Sequence, residues 1–153
     1  MSTCYESLDL TLCAKLGRVH RICRQAVTKA VEPMGFTQPR WTAIMHIDFL
    51  GEGCSQQQLA QSLGIEMPSL TRTLQQLEQS RFIERRVDEQ DKRSRNLYFT
   101  AAGSEQIECL KKVISQVRDS LYAGLTDDDL KAVDEALRIM EANAQRYCQQ
   151  EVK

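Results

Sequence analysis

Apolar residues recur every three or four positions along most of the chain, which is the pattern of helices that bury one side. Breaks at Pro33, Gly35, Gly51, Gly53 and Gly64 separate these stretches. The pattern predicts six helices, over about residues 8–31, 38–49, 55–64, 68–80, 101–121 and 126–147.

Strand-like runs replace the helical pattern between Phe82 and Thr100. The segments FIERRV and NLYFT are typical of short strands, and the charged segment DEQDKRSR between them is typical of a turn. A β-hairpin is therefore predicted between the fourth and fifth helices.

Hydroxyl side chains mark the predicted starts of three helices. Ser55 is followed three residues later by Gln58, which is the spacing of a capping box. Thr100 and Thr126 precede the last two helices, and the aspartates that follow Thr126 favour the positive end of a helix dipole.

These elements predict a mainly α fold with a small β-hairpin wing (α+β), a winged helix-turn-helix. We expect one unit over residues 1–153, in which residues 37–100 form the DNA-binding lobe and residues 1–36 and 101–153 form a helical dimerisation region. The apolar stripes of the terminal helices have no evident partner in so small a core. Packing against a second copy of the chain is the natural way to cover them.

The segment SQQQLAQSLGIEMPSLTRTLQQLE predicts two helices joined by a tight turn at Gly64, with the second able to enter a DNA major groove. If Leu70 faces the core, the outward positions of the second helix are Ser69, Arg72, Gln75 and Gln76, with Pro68 and Thr73 near its exposed end or flank. Arginine can read guanine and glutamine can read adenine. In isolation the same residues would describe only an exposed polar helix face, but the hairpin that follows favours DNA recognition.

The hairpin carries the basic residues expected of a wing, namely Arg85, Arg86, Lys92, Arg93 and Arg95. The tip of such a hairpin can place an arginine in the narrow, electronegative minor groove. Asp91 could hold Arg93 by a charge-assisted hydrogen bond. Without a helix-turn-helix beside it, the hairpin would be interpreted as a solvated turn with offsetting charges.

Composition excludes several other classes of protein. The chain has 153 residues and a net charge of −1, and no apolar run approaches the length of a membrane span. The first residues lack the pattern of a secretory signal, so we expect a cytoplasmic protein. The 6 cysteines show neither a CxxC pair nor a zinc-binding spacing, and free thiols are expected.

Enzyme motifs are not evident in the sequence. A phosphate loop, a Gly-x-Ser-x-Gly segment and paired histidines are all missing, and His20 and His46 are isolated. We therefore expect a protein that is not an enzyme and binds no cofactor or metal. A winged helix that binds another protein instead of DNA is the remaining alternative.

The order of elements and three sequence segments resemble the MarR family of bacterial winged-helix regulators. The segments are LAQSLGIEMPSLTRTLQQLE, the turn with DKR and the closing LYFTAAG, and the resemblance is greatest to the SlyA-like branch. It implies a homodimer that binds double-stranded DNA at a pseudo-palindrome. It also implies that Arg72 is the principal major-groove arginine, that Pro68, Ser69 and Thr73 are neighbouring contacts, and that Asp91 and Arg93 form the Asp-x-Arg of the wing.

The same resemblance implies a small aromatic carboxylate as effector, bound by Arg21, Arg24 and Trp41. Pro39 and Met45 stand where SlyA-like proteins have a hydrogen-bonding threonine and histidine, which argues against phenolic ligands. Alternatively, the two arginines form interfacial salt bridges and the indole fills the core.

A redox-sensing regulator is the other alternative within the family. Cys13 corresponds to the peroxidatic cysteine of the hydroperoxide-sensing branch, but Val27 and Gln38 replace the two tyrosines that activate it there. A thiol without a lowered pKa is a poor sensor, so packing is the favoured role of Cys13.

Overall fold

The computed structural model describes residues 9–149 and contains the predicted elements. They are α1 (Asp9–Val31), a 3-10 helix (Glu32–Met34), α2 (Gln38–Leu50), α3 (Gln56–Leu63), α4 (Met67–Gln79), β1 (Ile83–Val87), β2 (Arg95–Phe99), α5 (Ser104–Leu121) and α6 (Asp127–Gln149). The mainly helical fold with a two-stranded hairpin confirms the predicted fold class. The chain forms two compact units that divide between Arg118 and Asp119.

A single apolar core holds the helix-turn-helix together in the first unit. The leucines of α4, Leu70, Leu74 and Leu77, are each 0% exposed, as are Ile44 of α2 and Leu59 of α3. Burial of such side chains stabilises the folded state by about 1.5–3 kcal/mol each. The core therefore fixes which side of α4 faces outward.

The turn between α3 and α4 is determined by local sequence. Ser55 and Gln58 form the predicted capping box, with the Ser55 hydroxyl accepting from the Gln58 amide at 3.1 Å and the Gln58 side chain accepting from the Ser55 amide at 2.8 Å. Gly64 ends α3 in the left-handed region at φ 64°. Because glycine adopts this conformation without steric cost, α4 can begin three residues later.

The hairpin is joined to the segment that precedes α3 as well as being paired within itself. Its strands are antiparallel, with Ile83 opposite Phe99 and Val87 opposite Arg95. The amide of Gly53 donates to the carbonyl of Leu97 at 2.7 Å, and the amide of Leu97 donates to the carbonyl of Cys54 at 2.9 Å. The wing therefore has a fixed position beside α3.

The start of α5 differs from the prediction. Thr100 accepts a hydrogen bond from the Gly103 amide at 3.1 Å and donates to the carbonyl of Arg81, but α5 begins only at Ser104. Gly103 packs so closely that a Cβ there would lie 2.9 Å from the Cα of Phe82. Packing against the segment between α4 and β1 thus keeps residues 101–103 in turns and delays the helix.

The second unit contains α6, whose predicted cap is confirmed. The Thr126 hydroxyl accepts from the Asp129 amide at 3.2 Å, and the Asp129 carboxylate accepts from the Thr126 amide at 2.8 Å. No described side chain of α6 is buried, and Val133, Leu137 and Ile139 are 53%, 42% and 46% exposed.

Candidate nucleic-acid interface

The exposed side of α4 carries the polar residues that the sequence predicted. Ser69, Arg72, Gln75 and Gln76 are exposed, and so is Pro68 in the first turn. Among the described residues, Arg72 has no hydrogen-bond or ion-pair partner. Its guanidinium is therefore available to a ligand outside the chain.

Thr73 does not lie on this exposed side. It is 8% exposed, and its hydroxyl is directed to the carbonyl of Ser69 at 3.4 Å. Its position corrects the prediction of an exposed flank, because residue 73 falls beside Leu70 and Leu77 on the helix surface. A contact from Thr73 to DNA is not supported by this placement.

The wing carries three exposed cationic side chains, of which Lys92 and Arg93 lie in the turn and Arg95 begins β2. Arg93 and Arg95 line a hollow of about 350 Å³ together with Gln56, Gln57 and Met67. The first residues of α3 and α4 therefore lie close to the two arginines. Gln56 and Gln57 were not predicted as site residues. The sequence does not show that the start of α3 lies beside the arginines of the wing, and only the position of the hairpin in the structure reveals it.

Asp91 and Arg93 are in contact, but not in the predicted manner. The Asp91 carboxylate accepts a hydrogen bond from the backbone amide of Arg93 at 3.0 Å, whereas the prediction was a bond to the guanidinium. The main chain of the turn is fixed by this bond. The Arg93 side chain remains exposed and can extend toward a ligand.

Arg85 and Arg86 lie on β1 and have partners within the chain. Arg85 donates to Glu78 Oε2 from Nε at 3.1 Å and from Nη2 at 2.6 Å. These hydrogen bonds hold the pKa of Glu78 below its ordinary value. Arg86 donates to Glu84 and lies 4.2 Å from the centre of the Tyr98 ring. Both guanidinium groups are thus engaged within the protein, although both were predicted to bind DNA.

A second candidate site is a cavity of about 450 Å³ between α1, α2 and the helix-turn-helix. Arg24 and Trp41 line it as predicted, and Nε of Arg24 is buried without a hydrogen-bond partner in the described structure. The indole Nε1 of Trp41 donates to the Thr28 hydroxyl at 3.0 Å, which fixes the ring. Arg21 is exposed and does not line the cavity, so the predicted arginine pair is reduced to one.

Two histidines that the sequence left unassigned also line this cavity. His20 contributes from α1 and His46 from α2. His46 Nδ1 lies 2.8 Å from the Ser62 hydroxyl, and burial lowers the pKa of the imidazole. The signal that was missed is the helical spacing of His20 and Arg24, which places both on one side of α1.

The cysteines within the described residues show no arrangement that identifies a redox or metal centre. Cys13 is exposed on α1, and Cys54 is buried, which raises the pKa of its thiol. Among residues 9–149, no three His, Cys, Asp or Glu side chains are grouped as metal ligands. The redox role of Cys13 stays a prediction.

No helix within the described part of the chain has both the length and the apolar character required to cross a bilayer.

Comparison with known proteins relates this geometry to a family. Residues 34–94, from just before α2 to the turn of the wing, match the MarR family model. A MarR transcriptional regulator from Methanosarcina mazei Go1 is 22% identical, with a TM-score of 0.78 over 91% of this chain and 99% of its own. A second structure, of MarR, is 27% identical, with a TM-score of 0.72 over 89% and 92% of the two chains.

One similar structure includes nucleic acid. The transcriptional repressor CouR, bound to a 23-mer DNA duplex, is 24% identical, with a TM-score of 0.71 over 83% of this chain and 89% of its own. The chain is thus similar to the MarR family over residues 34–94, and it shares the fold of a solved MarR regulator over 91% of its length.

Proposed function

We propose that this protein regulates transcription as a homodimer that binds double-stranded DNA at a pseudo-palindromic operator. In each half-site, α4 enters the major groove and the wing contacts the neighbouring minor groove. The observation that carries the proposal is the division of α4 into two sides. Three leucines are 0% exposed on one side, and the other side presents Arg72 without a partner among the described residues.

The chemistry of the exposed side suits base recognition. Arg72 can donate two hydrogen bonds to guanine, and Gln75 and Gln76 can each bond adenine. Arg93 and Arg95 lie beside the starts of α3 and α4, where cationic side chains can bind phosphates. The DNA complex of CouR supports this use of the fold.

Exposed apolar residues on two helices support the homodimer. On α1, Leu12, Val19 and Ile22 are 41%, 57% and 52% exposed. On α6, Val133 and Leu137 are more than 40% exposed. A second copy that covered both helices would remove these side chains from water. Light scattering should therefore give twice the mass of the chain.

Selection of bound DNA from a random pool tests the proposal. We expect a palindrome whose half-sites lie about one helical turn apart. Arg72→Ala should lower the affinity for that DNA by about 1–3 kcal/mol, because one bidentate base contact is lost. Lys112→Ala removes the same charge from the exposed surface of α5 and serves as the control. Equal affinities for the wild type and Arg72→Ala across a salt series would show that the helix does not read DNA.

We further propose that a small aromatic carboxylate binds the cavity at Trp41 and modulates DNA binding. The volume of the cavity, about 450 Å³, lies within the range of small-molecule sites. A carboxylate would provide the partner that buried Nε of Arg24 lacks, and the indole would provide a stacking surface. Pro39 and Met45 also line the cavity and offer no hydrogen bond to a phenol. Assignment to the SlyA-like branch remains a prediction.

The single tryptophan provides a direct assay for this ligand. Benzoate should change the fluorescence of Trp41 in a saturable manner and should raise the melting temperature. Arg24→Ala should abolish both effects, whereas Arg21→Ala should preserve them because Arg21 is outside the cavity. If the two variants respond alike, Arg24 does not bind the carboxylate.

A further inference from the structure

The carboxylate of Asp88 organises the turn of the wing. Its Oδ1 accepts hydrogen bonds from the backbone amides of Gln90 and Asp91, each at 2.8 Å. Its Oδ2 accepts a hydrogen bond from Asn96 Nδ2 at 2.8 Å. The Asp88 amide donates to the carbonyl of Ser94 at 3.1 Å. One residue thus connects the end of β1, the tip of the turn and the start of β2.

A second set of bonds extends this connection to Arg93. Asp91, held by Asp88, accepts from the Arg93 amide at 3.0 Å, and its carbonyl accepts from the Ser94 amide at 2.8 Å. Two carboxylates in series therefore determine the path of the main chain at Arg93. Asp88 is the first of the two, because it fixes the backbone from which Asp91 acts.

We propose that Asp88 is a positioning residue for DNA binding, which holds the turn of the wing in the conformation that presents Arg93 to the duplex. The inference rests on the proposed function. A turn that is ordered before binding loses less conformational entropy when the complex forms. The bonds to Asp88, foremost from the Asp91 amide, hold the pKa of its carboxyl below the ordinary value, so the group is ionised at neutral pH.

Charge and geometry make opposite predictions for this residue. Removal of a carboxylate from a DNA-binding surface reduces its repulsion of the phosphates, which favours binding. Loss of the turn conformation has the opposite effect. Glu89 is the matched control, since it is the exposed neighbour of Asp88, carries the same charge and accepts none of the described hydrogen bonds of the turn.

The test measures the affinity of Asp88→Ala and Glu89→Ala for the selected operator at one salt concentration. We expect Asp88→Ala to weaken binding by about three- to tenfold per wing, which corresponds to the ordering of one or two additional side chains. Glu89→Ala should bind as tightly as the wild type or more tightly. Equal or tighter binding by both variants would overturn the inference.

A double-mutant cycle separates positioning from a general loss of stability. Arg93→Ala should weaken binding by a smaller factor in the Asp88→Ala background than in the wild type, because Arg93 is no longer presented there. An equal factor in both backgrounds would show that Asp88 does not act through Arg93. Wild-type protein that binds no DNA at all would overturn the proposed function itself, and the inference with it.

A substitution at Asn96 keeps the test decisive if Asp88→Ala fails to fold. Asn96→Ala leaves the net charge unchanged and removes only the hydrogen bond that Asp88 Oδ2 accepts across the hairpin. We expect it to weaken operator binding in the wild-type background and to have a smaller effect in the Arg93→Ala background. Wild-type affinity of Asn96→Ala would contradict the proposed geometry.

Discussion

The contrast between Arg85 and Arg93 leads to a quantitative prediction about stability. Arg85 donates two hydrogen bonds to Glu78, and the two side chains are 23% and 39% exposed. Bonds to charged groups contribute about 1.5–3 kcal/mol where water is excluded. Water screens this pair, so we expect Arg85→Ala to lower the free energy of unfolding by about 1 kcal/mol.

Thermal and urea unfolding measure this effect. A loss of about 1 kcal/mol should lower the melting temperature by about 2–4 °C in a chain of this size. Glu78→Gln should cause a similar loss, and the double variant should lose little more than either single variant. Arg93→Ala should leave the unfolding free energy nearly unchanged, because its side chain is exposed.

DNA affinity supplies the second half of the test. Arg93→Ala should weaken operator binding more than Arg85→Ala, since the Arg85 guanidinium is already engaged by a carboxylate. Suppose instead that Arg85→Ala retained full stability and weakened DNA binding as much as Arg93→Ala. Arg85 would then exchange Glu78 for a phosphate on binding, and the assignment of Arg85 to internal structure would be wrong.

Three further predictions concern the stability of the first unit. Ser55→Ala removes half of the capping box and should lower the free energy of unfolding by about 1 kcal/mol. Urea unfolding should show this loss with an unchanged m-value. Leu74→Ala leaves a cavity where a side chain is 0% exposed, and it should lower the free energy of unfolding by about 2–5 kcal/mol, as measured by thermal unfolding. Because burial lowers the pKa of His46, the unfolded chain binds the proton more readily. Stability should therefore be level above about pH 6.5 and should fall as the pH drops below it, and His46→Gln should reduce that slope in urea titrations.

Features that depend on neighbours in sequence could be predicted. The capping box of Ser55 and Gln58 joins residues within one helical turn, and the strands differ from the helices in their own residue pattern. Each signal is complete within a few residues, so the surrounding fold cannot reverse it easily. The start of α5 was misplaced because the close contact between Gly103 and Phe82 is a property of packing.

Thr73 shows where both the outward-face argument and the family resemblance gave the wrong placement, although the helical angle was available from the sequence. With Leu70 as reference, residue 77 lies about 20° and residue 73 about 60° to the same side of an ideal helix. Thr73 therefore belongs to the buried arc of α4, and its burial follows from periodicity alone. The sequence analysis placed Thr73 near an exposed flank without working out this angle, and the family resemblance then assigned it to DNA.

Partners distant in sequence or hidden in a turn could not be identified in advance. The sequence places Arg85 in a strand and Arg93 in the turn, but it does not show that Glu78 at the end of α4 pairs with Arg85. The role of Asp88 was accessible in part, because aspartate commonly accepts from amides two residues ahead in turns. What the sequence lacked was the position of Asn96 across the hairpin.

The distribution of ion pairs explains how a chain with a net charge of −1 can present a cationic surface to DNA. Arg85 and Arg86 are paired with glutamates, whereas Lys92, Arg93 and Arg95 are exposed in the wing. If only the exposed three bind phosphates in each protomer, a dimer releases about six counterions and the slope of log K against log salt is about −5. If all five bind phosphates, the slope is about −9. The measured slope therefore decides whether the internal ion pairs persist when DNA binds, which net charge alone does not indicate.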